Sequence, residues 1–205
     1  MSKKNIIFDM DGTILDSMGF WINLGRGYLM SIGVEPPKDL ENIIYDMTLD
    51  ESAYYFHNEL GVNKTPKVIL NEILDLIKYK YKNELKGKDN IVDLIKAEYN
   101  LGSEMCILTT SDYECAVQAM KRLNIFHCFK KIITSEILNM SKRTPEIYIK
   151  TCSIMGFKPE ETIVYEDVLY AIKSAKEAGC YVIGVKDKSS YKDLDEIEKI
   201  ADEVL

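Results

Sequence analysis

The chain reads as an α/β protein: a doubly wound parallel sheet core with an inserted helical cap domain. Two observations predict this. Five short apolar runs are separated, over the second half of the chain, by segments with helical spacing, which is how a parallel sheet covered on both faces by helices reads. Between the first and second runs lies a stretch far too long for one crossover, and its pattern is helical throughout.

The expected strands, in order, are Asn5–Phe8, Met105–Leu108, Lys131–Thr134, Thr162–Tyr165 and Tyr181–Val185. Tyr148, Cys152 and Met155, ending at Gly156, predict one crossover helix, and Val168, Ile172 and Ala175, ending at Gly179, predict another. A further core helix is expected from Asn90 to Leu101. In the long segment, Phe20, Leu24, Tyr28 and Ile32 recur every four residues before Gly33, a helical pattern weakened by Gly25 and Gly27. Asp50 is expected to cap a helix ending near Gly61, and Thr65-Pro66 to open one that runs to about Glu84. The expected division is therefore a core of residues 1–16 and 88–205 and a cap of residues 17–87.

A chain of 205 residues can bury a sizeable core but is too short for a large multidomain assembly. Apolar residues at 46% and charged residues at 29% are ordinary for a soluble globular protein. The net charge of −7 disfavours a general nucleic-acid binder, which needs Lys and Arg to neutralise backbone phosphates. There is no signal-like N-terminus and no run long enough to span a bilayer, so a cytoplasmic protein without a membrane partner is expected. The five scattered cysteines form no C-x-x-C pair and are expected to be reduced, mostly core residues.

Ligands of open α/β sheets bind beyond the carboxyl ends of the strands. The residues in that position are polar three times: Asp9 and Asp11 after the first run, Thr109 and Thr110 after the second, Glu166 and Asp167 after the fourth. They converge if the three strands are close together. Gly12 lets the chain turn sharply after the paired aspartates. Four carboxylates in one pocket repel strongly unless a cation neutralises them, and all-oxygen ligation without His or Cys points to magnesium rather than zinc.

Asp-Met-Asp-Gly-Thr-Ile-Leu-Asp-Ser at 9–17 resembles the first motif of the haloacid dehalogenase-like hydrolase superfamily, whose core is Rossmann-like. Thr109 looks like the hydroxyl residue of its second motif, Lys142 in Ser-Lys-Arg-Thr-Pro like the lysine of the third, and Glu166-Asp167 with Gly179 downstream like the fourth. The helical insertion after the first motif is similar to the β-phosphoglucomutase and phosphoglycolate phosphatase branch. The resemblance implies a phosphatase of a small phosphorylated metabolite, with a sugar phosphate as one candidate. Asp9 would be the nucleophile and Asp11 the general acid and base. Mg2+ would be held by Asp9, the Asp11 carbonyl, Asp167 and Glu166. Lys142, Thr109 and backbone N–H groups near Gly12 and Thr110 would hold the phosphoryl oxygens.

Two positions depart from the pattern: Arg143 stands where the third motif usually has proline, and Val168 where serine or asparagine is common. Mutases of the branch carry a histidine early in the first cap helix, where this chain has Trp21, so a phosphosugar mutase ranks below a phosphatase. A phosphometabolite-binding protein without turnover is the non-enzyme rival. Trp21 and Arg26, near the start of the cap, are the candidates for substrate contact; His57 and His127 read as packing or surface residues. A monomer or weak homodimer is expected.

Overall fold

The computed structural model describes residues 3–205, excluding the side chain of Asp89. The chain divides into two compact units, one formed by Met1–Met18 with Leu85–Leu205, the other by Gly19–Glu84. Both borders fall inside the 17–87 segment. The reason is local pairing: Leu15 bridges Gly87 in antiparallel fashion, and the Asp16 N–H donates to the Lys86 carbonyl at 2.9 Å, which ties the outgoing and returning segments to the α/β unit.

In the α/β unit, strands β1 (Asn5–Phe8), β2 (Glu104–Thr109), β3 (Lys131–Thr134), β4 (Thr162–Glu166), β5 (Tyr181–Gly184) and β6 (Glu203–Val204) form one sheet in the order β3-β2-β1-β4-β5-β6. Every pairing is parallel. The five expected strands are present within a residue at either end; β6 was not legible, because two residues make no pattern. The central strand β1 is buried on both faces, with Ile6, Ile7 and Phe8 fully covered, as the interior of a parallel sheet requires.

The helices of the two units, numbered along the chain, begin with α1 (Met18–Ile22), α2 (Leu24–Ser31), α3 (Leu40–Ile43), α4 (Leu49–Asn58) and α5 (Pro66–Asn83). The α/β unit continues with α6 (Asp89–Asn100), α7 (Tyr113–Arg122), α8 (Ser135–Leu138), α9 (Glu146–Met155), α10 (Leu169–Glu177) and α11 (Leu194–Ile200). Helix α9 ends at Gly156 in the left-handed conformation, as its sequence predicts. Ile147, Tyr148 and Cys152 from α9 and Ile172 and Ala175 from α10 pack with Ile7, Leu108, Val164 and Val182 of the sheet. All five cysteines are buried and unpaired in disulfides.

The helical unit corrects two expectations. The pattern from Phe20 to Ile32 is not one helix: it breaks at Asn23, whose side-chain amide donates to the Gly19 carbonyl at 2.8 Å. Gly25 is there for space, since a β-carbon would lie 2.7 Å from Ile44 Cδ1 and 3.2 Å from Phe56 Cζ. Helix α4 is capped by Thr48, not Asp50; Thr48 and Glu51 form a reciprocal capping box, and Asp50 falls inside the first turn. Thr65 and Pro66 open α5 as expected. Among the described residues, no helix is long and apolar enough to cross a membrane.

Candidate active site

Register places the first acids. Phe8 of β1 is opposite Ile107 of β2 on one side and Tyr165 of β4 on the other. The next residues, Asp9 and Glu166, therefore leave the sheet side by side, and the Asp9 N–H donates to the Tyr165 carbonyl at 2.9 Å. Strand order reverses at this place, the switch point where open α/β sheets bind ligands.

After Phe8 the chain turns tightly. The N–H groups of Ile14 and Leu15 both donate to the Met10 carbonyl, at 2.9 and 2.8 Å, and the Gly12 N–H donates to the Leu15 carbonyl at 2.9 Å. Met10, Ile14 and Leu15 are fully buried. These apolar anchors hold the turn, and the polar residues between them face the site. Gly12 adopts φ +88°, and a β-carbon there would stand 2.2 Å from Asp167 Oδ2. Only glycine meets both demands.

Lys142 binds the acids together. Its Nζ lies 2.5 Å from Asp9 Oδ1 and 2.8 Å from Glu166 Oε2, with the three side chains almost wholly buried. Burial alone would lower the lysine, but the two carboxylates outweigh it and hold the ammonium well above its ordinary value. Glu166 moves the other way: burial, then the charge of Asp9, push it up to about 7 against the pull of Lys142. Asp167, fully buried, is raised well above the usual carboxylate range by burial and by Asp9 and Glu166. The Thr13 hydroxyl donates to Asp167 Oδ1 at 3.1 Å.

Asp9, Glu166 and Asp167 each offer a carboxylate oxygen, and these atoms lie within 4.8 Å of one another. Asp9 Oδ2 and Asp167 Oδ2 are buried without a hydrogen-bond partner. Such atoms are costly to leave unsatisfied. Three carboxylates against the one ammonium of Lys142 leave two negative charges uncompensated when all are ionised, so the donor set suits a hard divalent cation.

Asp11 is not part of that group. Its carboxylate accepts two short hydrogen bonds, from the Ser17 hydroxyl to Oδ1 and from the Ser111 hydroxyl to Oδ2, both 2.6 Å. Thr109 is buried at the end of β2, and its hydroxyl oxygen accepts the Ser111 N–H at 3.0 Å. Thr110 is exposed at the strand end. Sequence reading missed Ser111 as a partner of Asp11; its only signal is its place in Thr-Thr-Ser after β2. It also missed Tyr148, buried in α9, whose hydroxyl donates to Glu166 Oε2 at 3.4 Å.

Within the helical unit, the Trp21 indole N–H donates to the Tyr81 hydroxyl at 3.0 Å. Arg26 is held by Glu41 through two bonds of 2.5 and 2.9 Å and by the Pro37 carbonyl at 2.9 Å. His57 Nδ1 lies 3.3 Å from the Val62 carbonyl, and His127 meets the ring of Tyr99 edge-on. Arg143, outside the acidic group, stacks over the Tyr170 ring at 4.2 Å.

The model of the haloacid dehalogenase-like hydrolase family matches residues 6–185, from β1 past the end of β5. The chain belongs to the haloacid dehalogenase-like hydrolases. It is 21% identical to the phosphorylated carbohydrates phosphatase of Thermotoga maritima, over 85% of this chain and 81% of that protein. It is 25% identical to the N-acetylmuramic acid 6-phosphate phosphatase of Pseudomonas aeruginosa, over 91% and 83%. Its fold is similar to a crystal structure named for a beta-phosphoglucomutase of Thermotoga maritima, with a TM-score of 0.84, 21% identity, and 98% and 94% of the two chains covered. In this haloacid dehalogenase-like hydrolase the residues that the sequence singles out at 9, 142, 166 and 167 stand in one buried group, and Asp11 accepts hydrogen bonds from Ser17 and Ser111.

Proposed function

We propose that this hydrolase is a magnesium-dependent phosphatase of a small phosphorylated metabolite, with a sugar phosphate favoured, working through a phospho-aspartate on Asp9. The observation that carries the reading is Asp9 itself: one carboxylate oxygen is held by Lys142, and the other is buried without a partner in the group of three acids. A carboxylate with one oxygen held by a cation and the other free is placed for nucleophilic work.

Asp9, Glu166 and Asp167, with the carbonyl of Asp11, would hold Mg2+, which when bound supplies charge that lets a carboxylate approach a phosphate dianion. Asp9 attacks phosphorus; the Asp9 O–P bond forms as the bond to the leaving oxygen breaks. Asp11 gives its proton to that oxygen, then takes one from the water that cleaves the phospho-aspartate to inorganic phosphate. Ser17 and Ser111 fix the orientation of Asp11 for both transfers. Lys142, Thr109 and the N–H groups near Gly12 and Thr110 bind the transferring oxygens. The helical unit is read as the cap that selects the leaving group.

The similarity to two proteins named as phosphatases of sugar compounds supports this substrate class. It also supports hydrolysis over the mutase reading, as does a tryptophan, engaged with Tyr81, where mutases of the branch have histidine. The test is phosphate release from a panel of phosphorylated sugars, nucleotides and small acids, with magnesium and then with chelator. Magnesium-dependent release is expected. Isomer interconversion without release would turn the assignment to a mutase, and binding without either would turn it to a non-catalytic protein.

A further inference from the structure

Lys88 lies outside the family motifs, at the point where the chain returns to the α/β unit, and its side chain is mostly buried. It is the N-cap position of α6 but makes no side-chain cap there. Instead its ammonium donates to the Gly12 carbonyl and to the Lys186 carbonyl at 2.9 Å, and pairs with Asp187 Oδ2 at 2.9 Å. Three oxygens use the three donors of a lysine. Its backbone is anchored as well, the Lys88 N–H donating to the Ile14 carbonyl at 2.8 Å. Asp187 is itself held by the N–H and hydroxyl of Ser189, at 2.9 and 2.7 Å.

The consequence lies at Gly12. Its N–H is bound to Leu15 and its carbonyl to Lys88, so the peptides on both sides are clamped. This residue has no side chain to hold it, and glycine is the residue whose backbone rotates most freely. Turning the Gly12–Thr13 peptide would swing Thr13, whose hydroxyl holds Asp167 Oδ1, and would drive the Gly12 backbone against Asp167 Oδ2. Lys88 also neutralises Asp187, a further carboxylate whose charge acts on Asp167.

The geometry points to Lys88 as a positioning residue: its ammonium fixes the Gly12–Thr13 peptide and, through Thr13, the carboxylate of Asp167. Its kinetic consequence rests on the phosphatase reading; its structural consequence does not. Removal of such an outer support costs roughly 10- to 100-fold in activity or metal affinity in comparable sites.

The full chain and its Lys88→Gln variant are compared in two measurements: kcat and KM for p-nitrophenyl phosphate with magnesium, and amide hydrogen exchange of the segment 9–16 in chelator. The expected result is a kcat lower by about 10-fold or more with KM little changed, and faster exchange of that segment alone. Asp187→Asn, which removes the ion pair but leaves an oxygen facing the ammonium, is expected to keep near wild-type exchange at 9–16. Wild-type exchange and kcat in Lys88→Gln would overturn the inference, as would Asp187→Asn reproducing its full effect. If the unmodified protein releases no phosphate, the phosphatase reading fails while the exchange comparison still decides the role of Lys88. Should Lys88→Gln not fold, Lys88→Arg replaces it: the planar guanidinium keeps the charge but not the three-way geometry, and wild-type exchange at 9–16 there would sink the idea.

Discussion

Gly12 and Asp167 share a space that admits no side chain: a β-carbon on Gly12 would lie 2.2 Å from Asp167 Oδ2, 2.7 Å from Cγ and 3.0 Å from Oδ1. The left-handed φ adds a second objection to any other residue. Gly12→Ala is expected to lose roughly 2–5 kcal/mol of stability, from about 1–2 for the backbone and about 1–3 for the clash. It should also lose magnesium-dependent activity, because relief of the clash must displace Asp167. Denaturant unfolding and phosphate release check both; near wild-type values in either would contradict the placement.

Asp9→Asn separates chemistry from folding. The amide keeps the shape but is no nucleophile, so turnover is expected to vanish. It also removes a charge that repels Glu166 and Asp167, which offsets the loss of the Lys142 pair, so the metal-free variant should melt near the parent temperature. Turnover at parental levels would end the assignment of Asp9 as nucleophile.

The raised acids set a pH dependence for the metal-free protein. Glu166 titrates at about 7 in the folded chain against 4.5 as the ordinary value. Between those values the folded state retains a proton that the unfolded state has released, so stability falls as pH rises through this window and the loss is complete above about 7. Asp167 acts in the same direction, while Glu104, held at about 2 by Lys130 and Lys3, titrates below the window. In chelator, the melting temperature is expected to drop between pH 5 and pH 8, by a stability change on the order of a few kcal/mol. Magnesium should restore it most at the alkaline end. A flat or rising metal-free profile would show that Glu166 and Asp167 do not carry the strain inferred for them.

Ser111→Ala removes a hydroxyl that donates to Asp11, at a residue outside the group of three acids. It is expected to lower kcat by about 10-fold and to leave the magnesium concentration for half-activation unchanged. A shifted magnesium requirement with normal kcat would place Ser111 with the metal rather than with Asp11.

Trp21→Phe tests whether this indole serves packing. Loss of the bond to the buried Tyr81 hydroxyl is expected to cost about 1–2 kcal/mol, measured by thermal unfolding. If stability is unchanged and KM for the preferred substrate rises, substrate contact is its role.

The strands other than β6 and the Asp9–Thr13 turn were legible because their signals are local: apolar runs of strand length, and a glycine where the chain must bend. Helix α5 was legible for the same reason, through Thr65 and Pro66. The break at Asn23 was not, since the four-residue spacing continues across it and only the approach of α2 to Phe56 and Ile44 explains Gly25. Residue type alone points to Asp50 as a cap; the reciprocal bond between Thr48 and Glu51 puts the cap at Thr48 instead. Lys88 and Ser111 gave no distinguishing signal, because lysines and serines are common at such loops and their partners are remote in sequence.

The sequence by itself determined five of the six strands, the parallel α/β class, the helical insertion, and which acids stand at the strand ends. The tertiary structure decided the rest. Glu166 stands beside Asp9, where Lys142 bridges the two, only because β4 docks beside β1, and Val164 on β4 and Ile7 on β1 are buried in one core. Packing of the α/β unit likewise brought Ser111 to Asp11 and Lys88 to Gly12. Local patterns specify a residue's conformation and exposure, whereas the partner of a charge depends on which strands lie side by side, and that is settled by burial of the whole core.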